Sequence, residues 1–251
     1  MRALVVIALV SALGARSDAA PELDHVIAMP SAYVPVVNAV TGTAGLDRYG
    51  ATSIDVGYGL GGIAEVELGV DSDARACDPC SHDMPAPTIA LGHAMFRLAA
   101  REDEWFAGQP ALAFGVRATV GGRGAERKVG EAYVVASRRV GIAALHAGVV
   151  VLDAGADTQR MHAHVRPLIG AQITPPQVPK SSLIADLVWS PRFEPGGPVL
   201  EYVVSWGVRY QTFSWASVEL LVRQRQQELD TPDVMVRVTA TLGSDKAGHR
   251  P

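Results

Sequence analysis

The sequence predicts an all-β fold: an antiparallel β-barrel of the transmembrane type with about twelve strands, within a range of roughly 10 to 14. The first of three observations behind this is the stretch 199–212. There Leu200, Tyr202, Val204, Trp206, Val208 and Tyr210 alternate with Glu201, Ser205, Gly207, Arg209 and Gln211. A β-strand turns successive side chains to opposite faces, so this segment separates an apolar medium from a polar one. The second is an export signal at the start of the chain, and the third is a rhythm of alternating short and long connections.

Met1 and Arg2 precede an apolar run over 3–15, and Ser17 and Ala19 follow as small residues at the spacing a signal peptidase reads. Residues 1–19 are therefore expected to be a cleaved signal peptide, without the cysteine of a lipoprotein anchor. The run is shorter than the about 20 apolar residues a spanning helix needs. A mature chain held in a membrane would be held by strands.

Composition narrows the class. Charged residues are 19% of the chain, below the about 25% of soluble domains, and the mean hydropathy is +0.16. A second apolar surface outside the core accounts for both. The formal net charge of -4 comes without a block of like charge, which argues against nucleic acid as a partner.

Segments with alternating or β-rich character follow in order: 37–47, 52–60, 63–71, 88–99, 111–120, 129–139, 143–153, 160–173, 181–192, 199–212, 215–228 and 234–242. Most are near the about 9 to 11 residues that cross an outer membrane at a tilt. The connections 59–62, 140–142 and 212–214 are short. Those at 72–87, 121–128, 154–158, 193–198 and 229–233 are mostly longer, as expected of periplasmic turns and outer loops. Two connections depart from this rhythm, 101–110 and the proline-rich 174–180. The expected organisation is a signal peptide over 1–19, a periplasmic segment over 20–36, the barrel over 37–242 and a polar tail over 243–251.

Alternation does not say which face is inside. About twelve strands enclose more space than side chains fill, so either the apolar face looks out to lipid or the strands divide into two stacked sheets. The alternative to a membrane barrel is thus a soluble periplasmic β-sandwich or barrel binding an apolar ligand or an envelope partner. The row Val234, Val236, Val238, Ala240 and Leu242 suits lipid.

The signal peptide, the amphipathic strands and the alternating turn lengths together resemble bacterial outer-membrane β-barrel proteins over nearly the whole mature chain. The stretches Gly42-Thr43-Ala44-Gly45-Leu46-Asp47 and Gly59-Leu60-Gly61-Gly62-Ile63-Ala64-Glu65 are similar to opening hairpins of that group. The resemblance is architectural and assigns no subfamily. It implies a location in the bacterial outer membrane, lipid as the surrounding partner, and small solutes or cell-envelope components as further partners.

With the apolar face outward, the lumen receives Asp55, Glu65, Glu67, His93, Arg97, Arg117, Arg166, Asp186, Glu201, Arg209, Glu219, Arg223, Arg225 and Arg237. Both signs occur, and an unpaired charge in a narrow interior is costly, so these groups are expected to pair across the lumen. Two readings remain open: a polar plug, or a narrow porin-like path that the arginine excess of the last strands would make anion-selective. Glu219 is the expected partner of Arg209, since hairpin neighbours meet across the sheet.

Cys77 and Cys80 lie in the longest connection, with His82 and Asp83 after them. In an oxidising compartment the simplest expectation is a local disulfide, with zinc as the weaker reading. Ser81 stands where a c-type haem would need histidine. His162 and His164 share a strand face but lack a third ligand. Ser137, His146 and Glu131 are the residue types of a hydrolase, with no motif joining them. No cofactor, metal or enzymatic activity is expected.

Overall fold

The computed structural model describes residues 25–34, 37–72, 74–76, 88–122, 127–156, 158–226 and 229–243. The strands are β1 (Val40–Asp47), β2 (Thr52–Leu60), β3 (Ala64–Asp71), β4 (Arg75–Ala76), β5 (Leu91–Ala100), β6 (Ala111–Gly122) and β7 (Arg127–Val140). They continue with β8 (Ala143–Ala156), β9 (Gln159–Ile173), β10 (Ser181–Glu194), β11 (Gly197–Phe213), β12 (Ala216–Arg225) and β13 (Asp233–Leu242). Apart from the two-residue β4, each strand pairs antiparallel with the next along the chain, and β13 returns to β1 through Val40↔Leu242 to Asp47↔Met235. The result is a closed ring of twelve strands. β4 is no member of the ring: it runs parallel to the far end of β10, through Arg192↔Arg75 and Phe193↔Ala76, and is buried in the same cluster as the inward Tyr133 and Leu152.

Period-two alternation decides the two faces. Ile54, Val56, Leu68, Val70, Phe114, Val116, Leu183, Leu220 and Val236 all point outward and are exposed, Leu68 by 59% and Ile54 by 58%. A soluble sandwich would bury this set; here it forms a continuous apolar belt around the ring. No helix among the described residues is long and apolar enough to cross a membrane. Aromatic residues gather at the end where β1 begins and β13 finishes, called here the terminal end: Tyr58, Trp105, Phe106 and Tyr210 are exposed there. Phe213 and Trp215 stack at the same end, 5.3 Å apart and 7° from parallel. Such amphipathic rings suit the boundary between hydrocarbon and water.

Two expectations are corrected. The segment expected to stand apart over 20–36 lies within the barrel over 25–34, where Val26, Ile27, Met29, Ser31 and Ala32 are buried. A ring of this size leaves interior space that wall side chains do not reach, and the chain fills it with its own backbone. The inner face is also not polar throughout. Tyr133 and Val135 of β7, Val150 and Leu152 of β8, and Met161 and Leu168 of β9 face inward and pack with Met29, Leu91, Met95 and Phe193. The long connection 101–110 finds its reason in the same segment, because Glu102 accepts hydrogen bonds from the Tyr33 hydroxyl (2.5 Å) and from the Arg139 backbone N–H (3.0 Å).

One seam of the wall is paired over a much shorter stretch than its neighbours. β8 and β9 pair as far as Ala156↔Gln159, and β10 and β11 as far as Glu194↔Gly197. β9 and β10 pair only from Leu183↔Ile173 to Leu187↔Ile169. The stretch 1–19 expected as a signal peptide, the disulfide expected between Cys77 and Cys80, and all of the expected polar tail after Gly243 lie outside the described residues.

Packing inside the ring is tight where a ring lies on a glycine. A Cβ added at Gly115 of β6 would stand 2.3 Å from the phenol of Tyr133, its cross-strand partner. Gly115→Val is expected to destabilise the folded barrel by about 1 to 3 kcal/mol through overpacking, measured as a lower urea midpoint in detergent.

Candidate functional site

The lumen is organised around the inserted segment. Residues 25–34 bend back on themselves, with the Val26 N–H donating to the Met29 carbonyl at 2.9 Å and a bridge between His25 and Pro30. This bend turns three successive backbone N–H groups, those of Ile27, Ala28 and Met29, onto Oδ2 of Asp186 at 3.1, 2.7 and 2.8 Å. Consecutive N–H groups aimed into one concavity form an anion nest, and the carboxylate of β10 occupies it.

The carbonyls of the same bend meet cations. Arg209 donates to the carbonyls of Val26 (2.7 Å) and His25 (3.2 Å), and Arg237 donates to that of Ile27. Glu219, fully buried between the two guanidiniums, accepts from Arg209 Nε at 2.6 Å and Arg237 Nε at 2.7 Å. Arg97 pairs with the buried Glu65 and donates to the Ser31 carbonyl at 2.9 Å. The Ala32 N–H donates to the Ser137 hydroxyl at 2.8 Å, and that hydroxyl lies 2.8 Å from His146 Nδ1. Tyr33 continues the contact, edge-on to His146 with ring centres 5.9 Å apart.

Two cavities flank the segment. One of about 120 Å³ lies toward β2, β3 and β5 and carries Asp55, Glu67, Asp71 and His93. His93 Nε2 is 3.1 Å from Glu67 and 3.4 Å from Asp55, while its Nδ1 is 3.1 Å from Asp71. Gly69 makes the approach possible, because a Cβ there would fall 2.1 Å from Asp55 Oδ1 and 2.9 Å from His93 Cε1. Donor atoms of Asp55, Glu67 and His93 lie within 4.8 Å of one another, which is metal-ligand spacing. Arg117 stands beside them, paired with Asp71, 3.7 Å from Glu131 and 3.2 Å from His93 Nδ1, so a guanidinium already supplies positive charge to this group. The other cavity, about 80 Å³, lies toward β7, β8, β9 and β10 and is lined by Tyr133, Val150, Leu152, Leu168 and Val188.

All of the charged residues expected in the lumen have inward register. Glu201 pairs with Arg225 at 2.8 Å, and Arg223 stands opposite Asp233 on β13. Arg166 shares its face with the inward Val150, and its guanidinium lies 5.0 Å from the ring centre of Trp189. The hydrolase-type residues divide: Ser137 and His146 form the latch on Ala32, whereas Glu131 is drawn to Arg117. His162 and His164 are exposed and lie at a bulge between Leu152 and Ala154 of the partner strand. The inserted segment and the apolar half of the lumen escaped the sequence reading. The run Val149-Val150-Val151-Leu152, apolar on both faces, was the available signal for the latter.

No family model matches the chain, and comparison with curated proteins gives no match. Among solved structures it is similar to outer membrane phospholipase A of Escherichia coli, at 11% identity and a TM-score of 0.43, over 84% of this chain and 98% of that one. It is also similar to a loop-deletion form of OmpT, an outer membrane protein of Vibrio cholerae, at 10% identity and a TM-score of 0.41, over 81% and 97%. For OprB of Pseudomonas putida the figures are 9% and 0.37, over 76% of this chain and 59% of that one. The closure into twelve strands rests on this chain's own pairing register.

Removing one partner of a desolvated ion pair leaves the other uncompensated. Arg209→Ala strips Glu219 of one cation and the bend of a donor to two carbonyls. It is expected to cost about 3 to 5 kcal/mol, read as a clear drop in the thermal midpoint in detergent. A loss of about 1 kcal/mol or less would mean that water screens the site.

Proposed function

We propose that this protein is a small bacterial outer-membrane β-barrel that is closed to solute flow and acts as a structural or interaction element of the cell envelope. The observation that carries the reading is the seating of residues 27–29 on Asp186, three N–H groups on one buried carboxylate oxygen. A mobile gate would leave Asp186 bare when it swung out, at the cost of an unpaired charge in the lumen. The belt of exposed Ile54, Leu68, Ile169 and Leu220 supports placement in lipid and does not favour the soluble alternative. An even number of strands supports an orientation with the terminal end on the periplasmic side and the segment 25–34 as its floor.

The arginines of the last strands, which on composition would favour anions, are held by Glu219, Glu201 and the carbonyls of the bend. They are therefore structural counter-ions in this reading. Ser137 belongs to the same closure, since Ala32 covers its hydroxyl.

Planar-bilayer recording tests the proposal. The full chain is expected to give little conductance, and a variant lacking residues 25–34 is expected to give discrete currents through the vacated half of the lumen. Steady anion-selective currents from the intact protein would identify it as a porin-like channel and overturn the closed reading.

A further inference from the structure

The seam between β9 and β10 opens inside the belt that faces lipid. Their pairing stops at Leu187↔Ile169, yet on β9 the apolar outer face continues to Val165, which is 62% exposed. Backbone amides without partners are disfavoured in hydrocarbon, and non-helical backbone at that depth is found where it lines a cavity. Such a cavity lies directly behind the seam. Leu168 from one edge and Val188, Trp189 and Pro191 from the other line a chamber of about 80 Å³ that continues past Leu152 and Tyr133 to the charged Asp71, His93, Arg117 and Glu131.

The sequence marks the same place. Pro167 and Pro191, which have no N–H to offer a ladder, lie on the two facing strands beyond the last pair, and proline in a sheet belongs at an edge. At the mouth of the chamber one side chain spans the break: the Trp189 indole N–H donates to the Pro167 carbonyl at 3.0 Å, with the Arg166 guanidinium over its ring; farther along, Gln159 donates to the Pro195 carbonyl at 3.2 Å and β4 takes the β10 edge at Arg192 and Phe193. A hydrogen bond from one side chain can be broken without unzipping a strand pair.

We propose that this seam is a lateral port, closed by Trp189, through which the lumen takes an acyl chain of a surrounding membrane lipid into the chamber bounded by Leu168, Val188, Leu152 and Tyr133. An acyl chain is the occupant because the port faces the apolar belt, the chamber is apolar on the side of the port, where Leu152, Leu168, Val150 and Val188 line it, and residues 25–34 occupy the terminal half beneath it. The chamber takes the end of such a chain and leaves its headgroup outside. The inference goes beyond the closed reading, because a lumen shut to water along its axis still receives hydrocarbon from the side. It rests on that reading's placement of the belt in lipid.

The test uses the full chain folded in phosphatidylcholine vesicles in which one acyl chain carries a terminal diazirine, with adducts mapped by mass spectrometry after irradiation. Adducts on the outward Leu220 and Val236 report placement in the membrane; adducts on the inward Tyr133, Leu152 and Leu168 report the port. Both sets are expected. Trp189→Ala is expected to raise the inward set several-fold, and Val188→Trp, which fills the mouth, to abolish it while sparing the outward set. Heat-dependent migration first confirms that each variant is folded. Adducts on outward residues alone overturn the port and leave the membrane placement standing, whereas no adducts on either set overturn both. An inward set indifferent to both variants overturns the route.

Discussion

Burying a charge inside a ring of strands is tolerable only when every charge there is answered, and this constraint shapes the lumen. Glu219 sits at its centre, held by Arg209 and Arg237 with no exposure to solvent. The two arginines have donors left over after meeting one carboxylate, and the wall answers one of them, Gln172 of β9 accepting from Arg209 at 3.0 Å. Backbone carbonyls of His25, Val26 and Ile27 take others. The N–H groups on the other side of the same bend need an acceptor in turn, and Asp186 provides it. Wall and inserted segment thus complete each other's hydrogen bonding, and neither arrangement would be satisfied alone.

This reciprocity explains why the polar residues are unevenly distributed. Charge is concentrated on β2, β3, β5 and on β10 to β13. β7, β8 and the middle of β9 turn Tyr133, Val135, Val150, Leu152 and Leu168 inward. On that side Met29 packs against wall residues instead of bonding to them. The lumen is therefore amphipathic: one half is fixed by directional bonds, the other filled by apolar contacts that leave space.

The alternating strands were legible in the sequence because they have one apolar and one polar face. Glu201 and Arg209 could be put on one face of one strand, and Glu219 opposite Arg209, from period and hairpin adjacency alone. The partners of Arg97 and Arg237 in the segment 25–34 were not legible. A stretch such as Val26-Ile27-Ala28-Met29 has no periodicity to assign, and its role depends on a cavity that exists only after the ring has closed. The inward apolar residues of β7 and β8 were hidden for a related reason. When both faces are apolar, alternation vanishes, and the sequence reports only a buried strand without saying what covers it.

Pro167 and Pro191 were visible from the start and needed the pairing register to acquire meaning. Inside a fully paired barrel wall each would remove a ladder donor with no return. On facing strands just past the last hydrogen-bonded pair, they remove donors that have no acceptor there. They also prevent a slipped register from closing the gap, since a strand containing proline is a poor partner in either direction. The hairpins β8 to β9 and β10 to β11 remain fully paired on their other sides, so the ring bears the opening without losing the strands that flank it. The long unpaired stretch thereby falls at one seam, which the side chains of Trp189 and Gln159 bridge by hydrogen bonds to the Pro167 and Pro195 carbonyls.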